Sequence, residues 1–271
     1  MRSDSEKPNP IMISFNKANI IFGHGSSVGR VREHNEDYHR VKMMPSPRGP
    51  LAFFAVADGM GGAAAGERAS KSAIEVVTKA VSDYVDFIAA GNAAVAFEKA
   101  LEKSILAANR TINREALENP QFSGMGTTLT VCVIMERKLY YGHIGDSRGF
   151  LIRKGELTQV TRDHSWVAFQ VEQGILTPEE AENHPNRNQL MRALGTRPQV
   201  TVDIGILPVQ PGDVFFLSSD GLHGFVHDFE LLNELSRPSV NLHDAIEYFI
   251  GLANARGGLD NITGVVAQVS A

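Results

Sequence analysis

Apolar residues recur along this chain in two rhythms. Short runs rich in Val, Ile, Phe and Tyr, at 52–57, 129–135, 138–144, 149–153, 213–218 and 263–269, read as buried strands. A hairpin is expected over 148–160, with Gly155 supplying the turn. The second rhythm is helical. Beyond Glu67, the residues Ala69, Ala73, Val76, Val77, Ala80, Tyr84 and Ile88 recur at three- and four-residue steps, and beyond Ala93 so do Phe97, Leu101, Ile105, Ala108 and Ile112. A third helix is expected over 242–255, ending near Gly257-Gly258. Long helices lie between groups of strands joined by hairpins, which favours antiparallel sheets covered by helices over a doubly wound parallel sheet.

The stretch 161–195 breaks both rhythms. It is polar, and Thr177-Pro178-Glu179-Glu180 reads as a helix start with Thr as N-cap and Pro at the first helical position. A helical surface insertion fits this pattern, and such connections often shape the rim of an active site. Met43-Met44 and the segment 45–50 together read as a surface hairpin tip or loop without function.

Composition narrows the class. The chain has 271 residues, 43% hydrophobic and 21% charged, as in a globular protein with a substantial core. The net charge of −5 gives no electrostatic reason to expect nucleic acid or an anionic membrane as partner. The single cysteine, Cys132, excludes an internal disulfide and sits in an apolar run, where it reads as packing. No apolar run reaches the roughly 18 residues that would span a bilayer. The first ten residues lack the hydrophobic segment of a secretory signal, so a cytoplasmic location is expected. One domain is expected over 16–271, after a loose N-terminal tail over 1–15.

The chemical signal is the placement of acids. Apolar runs end at Asp58-Gly59, at Gly145-Asp146-Ser147 and at Ser219-Asp220-Gly221; Asp260-Asn261 precedes the last strand, and Glu36-Asp37 follows Arg32. Any one of these pairs could be a simple turn. Turns do not explain why an apolar strand delivers Asp each time. Gathered together, the carboxylates would raise one another's pKa values or require hard cations such as Mg²⁺ or Mn²⁺. The glycine-rich segment 59–70 has P-loop spacing, but Glu67-Arg68 stands where Lys and Ser/Thr are needed, so a tight strand-to-helix passage is the better reading.

These motifs resemble, in order, those of the metal-dependent serine/threonine protein phosphatases of the PPM (protein phosphatase 2C) family, bacterial branch. The matching pieces are RVREHNEDY, VADGMGGAAAGERAS, GMGTTLTV, GHIGDSRGFLI, LTQVTRDHS, LSSDGLHGF and DNITGVV. The resemblance implies an α+β fold, a four-layer αββα sandwich of two mainly antiparallel sheets flanked by helices, with a helical flap at about 162–192. It implies two Mn²⁺ or Mg²⁺ ions, bridged by Asp58. The Gly59 carbonyl and Glu36 would serve one ion, and Asp220 and Asp260 the other. Asp146 would help hold a third, weaker metal. Asp37 and Asn261 would lie behind the ligands, with Asp37 orienting water. Arg32 would bind the substrate phosphate with its planar fork of donors.

The implied activity is hydrolysis of phosphoserine and phosphothreonine on proteins by a metal-activated water. The alternative is a non-catalytic phosphoprotein-binding or regulatory module of the same fold. A cognate Ser/Thr kinase and a monomeric state are the expected context. The chain departs from the family in places. Eukaryotic relatives carry a His where Met60 stands, and many bacterial ones a His where Ala63 stands, so the general acid is open. His34, His39, His143 and His164 are candidates, though a surface or structural role suits each of them better. Gly224 stands where some relatives have an acid. Arg68 and Arg192 could also meet phosphate, Arg148 reads as a structural ion-pair partner, and Trp166 as an anchor of the flap to the body.

Overall fold

The long apolar runs become strands covered on both faces. The structure, a computed structural model, describes residues 13–15, 18–92 and 95–270. In chain order it comprises β1 (Ile13–Phe15), β2 (Ala18–Ser27), β3 (Asp37–Met44), β4 (Leu51–Met60), α1 (Ala63–Ala89), α2 (Phe97–Glu118), β5 (Gly126–Thr127), β6 (Leu129–Met135), β7 (Lys138–Ile144), β8 (Arg148–Arg153) and β9 (Glu156–Gln159). It continues with α3 (Trp166–Glu172), α4 (Pro178–Glu182), β10 (Asp203–Pro208), β11 (Val214–Ser218), α5 (Asp220–His223), α6 (Asp228–Leu235), α7 (Leu242–Ala255) and β12 (Ile262–Val269).

Two sheets form, ordered β1-β2-β12-β11-β8-β9 and β10-β7-β6-β4-β3, with β5 added to the end of β4. Burial on both faces explains why the central strands are mostly apolar. In β4, Phe53, Ala55 and Ala57 face a core shared with α1 and α2. The intervening Ala52, Phe54 and Val56 face the core between the sheets. In β11, Val214 and Phe216 pack toward α6 and α7, while Phe215 and Leu217 face the inter-sheet core. Each fully buried Phe contributes about 1.5–3 kcal/mol by leaving water, so the four layers are held by three stacked cores. All named strand pairs are antiparallel, which is the αββα architecture the sequence implied.

The hairpin from β8 to β9 turns on Lys154 and Gly155, both at positive φ. The insertion forms α3 and α4, with a reciprocal capping box at Thr177 and Glu180. Four expectations change. Ile13–Phe15, placed in the loose tail, pairs with β2 as β1, because that sheet edge offers unpaired backbone groups; residues 1–12 of the tail lie outside the described residues. Met43 and Met44 belong to β3, and Met44 is buried. Strands β2, β3 and β10 were not foreseen. Glycines interrupt β2, and the other two are edge strands carrying charged side chains, so their apolar signal is diluted. The short helices α5 and α6 were likewise missed. Among the described residues no helix is long and apolar enough to cross a membrane.

Candidate active site

The two sheets present their acids at one edge. Asp58, near the end of β4, is the register partner of Asp37 at the start of β3. Asp220 opens α5 directly after β11, and Asp260 lies just before β12, its antiparallel neighbour. Asp146 sits in the turn between β7 and β8, and Glu36 immediately precedes β3. Asp58, Asp146, Asp220, Asp260 and Glu36 are half-buried, whereas Asp37 and Asn261 are buried.

Backbone hydrogen bonds fix these positions. The Asp58 N–H donates to Thr128 Oγ1 at 2.9 Å, and the Asp58 carbonyl accepts from Thr127 Oγ1 and from the Thr128 N–H, both at 2.9 Å. The Glu36 carbonyl accepts from Ser70 Oγ at 2.6 Å and from the Gly59 N–H at 3.1 Å. Asn261 ties three segments together: its Oδ1 accepts from the Glu36 N–H at 2.8 Å, and its Nδ2 donates to the carbonyls of Val28 at 3.0 Å and His34 at 2.9 Å. The glycines of the strand-to-helix passage permit this crowding. A Cβ on Gly66 would overlap the Glu36 carboxylate, and one on Gly221 would overlap the Asn261 carbonyl.

The electrostatics are those of acids crowded without compensation. Burial pushes the Asp58 carboxyl well above its ordinary range, and the fields of Asp37, Asp220, Asp146 and Asp260 add to it. Burial and the negative field of Asp220 raise Asp146 strongly. Burial and the negative field of Asp260 raise Asp220. Burial carries Asp37 up to about 7 despite the hydrogen bond from Ser219. Burial also raises Glu36, against the pull of Arg32.

The donor set suits hard cations. Asp37 Oδ1 and Asp220 Oδ1 are buried and have no hydrogen-bond partner. Such orphaned carboxylate oxygens are costly unless something positive satisfies them. Among the described residues, however, no three His, Cys, Asp or Glu side chains stand grouped as a finished coordination shell. Asp260 instead accepts from Arg32 Nη2 at 2.7 Å. The acids share one electrostatic field, and side-chain adjustment would have to close them around an ion.

Other candidates separate clearly. Arg68 pairs with Glu115 through two 2.8 Å bonds, Arg148 forks onto Asp163 rather than the neighbouring Asp146, and Arg192 reaches Asp203. Arg32 is the one among these whose bond reaches the acid cluster. Cys132 is buried, and burial pushes its thiol pKa up, which suits packing rather than nucleophilic attack. His39 Nε2 lies 3.0 Å from His24 Nδ1, and burial with His24 lowers the His39 pKa to about 4. His143 and His164 are buried and hydrogen-bonded. His34 is exposed, and its field reaches Glu36. The Trp166 ring packs on His184 inside the flap, 4.9 Å between centroids.

Several supporting residues escaped the sequence reading. Ser219 Oγ donates to Asp37 Oδ2 at 2.7 Å and accepts from the Thr263 N–H at 3.0 Å. Thr127, Thr128 and Asp203 also belong to the supporting network. The available signal was a set of small hydroxyl residues at the ends of otherwise apolar strands, where an unpaired polar group would be costly.

The chain is similar to known proteins over most of its length. A family model described as Protein phosphatase 2C matches residues 24–257. The serine/threonine phosphatase stp of Listeria innocua is 35% identical over 240 residues, covering 89% of this chain and 92% of the relative. The serine/threonine protein phosphatase PstP of Mycobacterium tuberculosis is 39% identical over 244 residues, 90% of this chain but 44% of that longer protein. The crystal structure of M. tuberculosis PstP/Ppp superposes with a TM-score of 0.81 at 36% identity, covering 93% of this chain and 99% of that one. The PstP catalytic domain in complex with two manganese ions gives 0.78 at 35% identity, covering 94% and 100%.

Proposed function

This chain belongs to the protein phosphatase 2C family, and we propose that the acids gathered between β4, α5 and β12 are where it performs that family's chemistry. It is a metal-dependent serine/threonine protein phosphatase. The observation that carries the site assignment is the convergence of Asp37, Asp58, Asp146, Asp220 and Asp260 in one field, with two orphaned carboxylate oxygens.

In this reading Asp58, Asp220, Asp260, Glu36 and the Gly59 carbonyl hold two divalent cations, Mn²⁺ or Mg²⁺, and Asp146 contributes to a weaker third site. When bound, such a pair supplies Lewis-acid stabilisation of phosphoryl charge and a water of lowered pKa. The protein's own groups do the rest. Arg32, exposed at the rim, turns its guanidinium from Asp260 to the phosphate oxygens and fixes the phosphorus for in-line attack. Asp37 Oδ1, which lacks a protein partner, accepts a hydrogen bond from the attacking water and orients it. Asn261 keeps the Glu36 and Asp260 segments in register.

Phosphorylated proteins are the substrates, a Ser/Thr kinase is the counterpart that makes them, and the chain acts as a cytoplasmic, bacterial signalling hydrolase in monomeric form. The non-catalytic binding module finds no supporting feature, since each acid the chemistry needs is present. The test is release of phosphate from a phosphothreonine peptide with added Mn²⁺, abolished by a chelator and restored by excess metal. No turnover at any Mn²⁺ concentration would overturn the assignment.

A further inference from the structure

We propose that His164, locked in one tautomer by Asp203, is a positioning residue that fixes the Gly145–Asp146 turn and joins it to both roots of the flap. The role of Asp146 as a cation ligand rests on the functional reading above; the geometry of His164 does not.

His164 is buried, with 5% of its surface exposed, and immediately precedes Ser165, the N-cap of α3. It captures both backbone polar groups of Gly145. The His164 N–H donates to the Gly145 carbonyl at 2.7 Å, and His164 Nδ1 faces the Gly145 N–H at 3.2 Å. Gly145 has φ of +111° and packs against Thr128, so this turn tolerates no other residue easily and aims Asp146 at the acid cluster. On the far side of the ring, Nε2 lies 3.1 Å from Asp203 Oδ2 on β10. The returning end of the flap is held at the same place: the Met191 N–H donates to the His164 carbonyl at 2.8 Å, and Arg192 Nη1 lies 3.2 Å from both Asp203 Oδ1 and His164 Nε2.

The neighbours decide where the proton sits. An N–H on Nδ1 would confront the Gly145 N–H, two donors with nothing between them. An N–H on Nε2 donates to the Asp203 carboxylate and leaves Nδ1 as the acceptor that Gly145 needs. Arg192 then takes the other Asp203 oxygen. Asp203 thus acts on Asp146 at one remove, by choosing the face His164 presents to the turn. Asp203→Asn tests this, because asparagine has one carbonyl oxygen for two donors. Arg192, permanently charged, competes for that oxygen, so Nε2–H loses its fixed acceptor while the Gly145 N–H still opposes a proton on Nδ1, and the preference for one tautomer weakens.

The experiment combines ¹⁵N NMR of the His164 ring, Mn²⁺ titration calorimetry and phosphopeptide kinetics on the full chain. In the unmodified protein His164 is expected to carry its proton on Nε2; in Asp203→Asn the Nδ1–H tautomer becomes detectably populated. The variant is expected to lose roughly 10–100-fold in kcat or in the weakest cation step, as outer partners of metal ligands do, with substrate KM and the tighter cation steps retained. The pair His164→Asn and His164→Gln separates the two edges of the ring. Asparagine keeps an acceptor near the Nδ1 position and should retain more activity than glutamine, which keeps only the donor toward Asp203. An Nδ1–H tautomer in the unmodified protein, an Asp203→Asn isotherm and kcat equal to the parent's, or a glutamine variant at least as active as the asparagine one would overturn the proposal. Were the parent to hydrolyse nothing, the functional reading would fail while the ring spectrum and the isotherms still decided this one.

Discussion

Arg32 Nη2 bonds Asp260 Oδ2 at 2.7 Å, so the group assigned to phosphate and a group assigned to metal neutralise each other across 228 residues of sequence. Arg32 also opposes the rise that burial imposes on the neighbouring Glu36, to which Asp260 adds. Both partners keep solvent access, with 51% and 28% of their side-chain surface exposed. An exposed pair of this kind is worth little in stability, which frees it to exchange partners when a cation or a phosphate arrives.

Removing Arg32 should therefore separate substrate binding from metal binding. A charge-assisted bond contributes about 1.5–3 kcal/mol, so Arg32→Ala is expected to raise the phosphopeptide KM roughly 10–100-fold. Mn²⁺ affinity without substrate should be equal to or tighter than the parent's, because Asp260 loses its competitor. Steady-state kinetics beside calorimetry measure both. An unchanged KM would remove Arg32 from the phosphate site.

Asp58 is raised by more acidic neighbours than any other group in the cluster. Asp58→Asn removes a cation ligand and, in metal-free protein, a source of repulsion. At about 1.4 kcal/mol per decade of rate, loss of several kcal/mol of metal stabilisation predicts at least a ~10³-fold fall in kcat. Asp220→Asn should act alike. In chelator, both variants should melt at or above the parent temperature by scanning fluorimetry. A variant that is inactive and also melts well below the parent would mark these acids as structural.

The motifs that carried the site in the sequence were the Asp-bearing strand ends, because each couples a strong apolar run to one charged residue. The runs at 129–135 and 138–144 return as β6 and β7 without a shift, since burial on both faces keeps most of their positions apolar. Helix α7 behaves likewise, its start fixed by Asn241 accepting from two backbone N–H groups. What the pattern concealed was held by tertiary partners. The edge strand β3 mixes Asp, His, Arg and Lys with Val and Met, and only its pairing with β4 makes it a strand. Asp203 showed no signal because its partners, His164 and Arg192, lie at opposite roots of the flap.

Cation removal should be visible as lost stability. A ligand at 100 times its Kd stabilises by about 2.7 kcal/mol, which for a domain of this size corresponds to a melting shift of about 5–10 °C. Mn²⁺ is expected to raise the melting temperature of chelated protein by that amount, and Asp58→Asn to abolish most of the shift. Equal shifts in parent and variant would place the cation elsewhere.

Acid stability turns on His143. Its ring is fully buried, its Nε2 lies 3.0 Å from the Arg162 carbonyl and its Nδ1 is 2.9 Å from Thr130 Oγ1. Burial and the adjacent His164 lower its pKa from 6.5 to about 3. The unfolded chain therefore takes up a proton near pH 6.5 that the folded protein refuses until about pH 3. The contribution is complete above pH 6.5 and is lost as pH falls toward 3, reaching about 2 kcal/mol of destabilisation at pH 5 by linkage. His143→Gln keeps a donor for the Arg162 carbonyl and cannot titrate. The clustered carboxylates respond to acid in the opposite sense but are common to both proteins, so the difference between their denaturation curves isolates this ring. The variant should lose less stability than the parent between pH 7 and pH 5, by about 2 kcal/mol, in chemical denaturation followed by fluorescence. Parallel curves over that interval would show that His143 is protonated in the folded protein and that the buried network around it carries a charge.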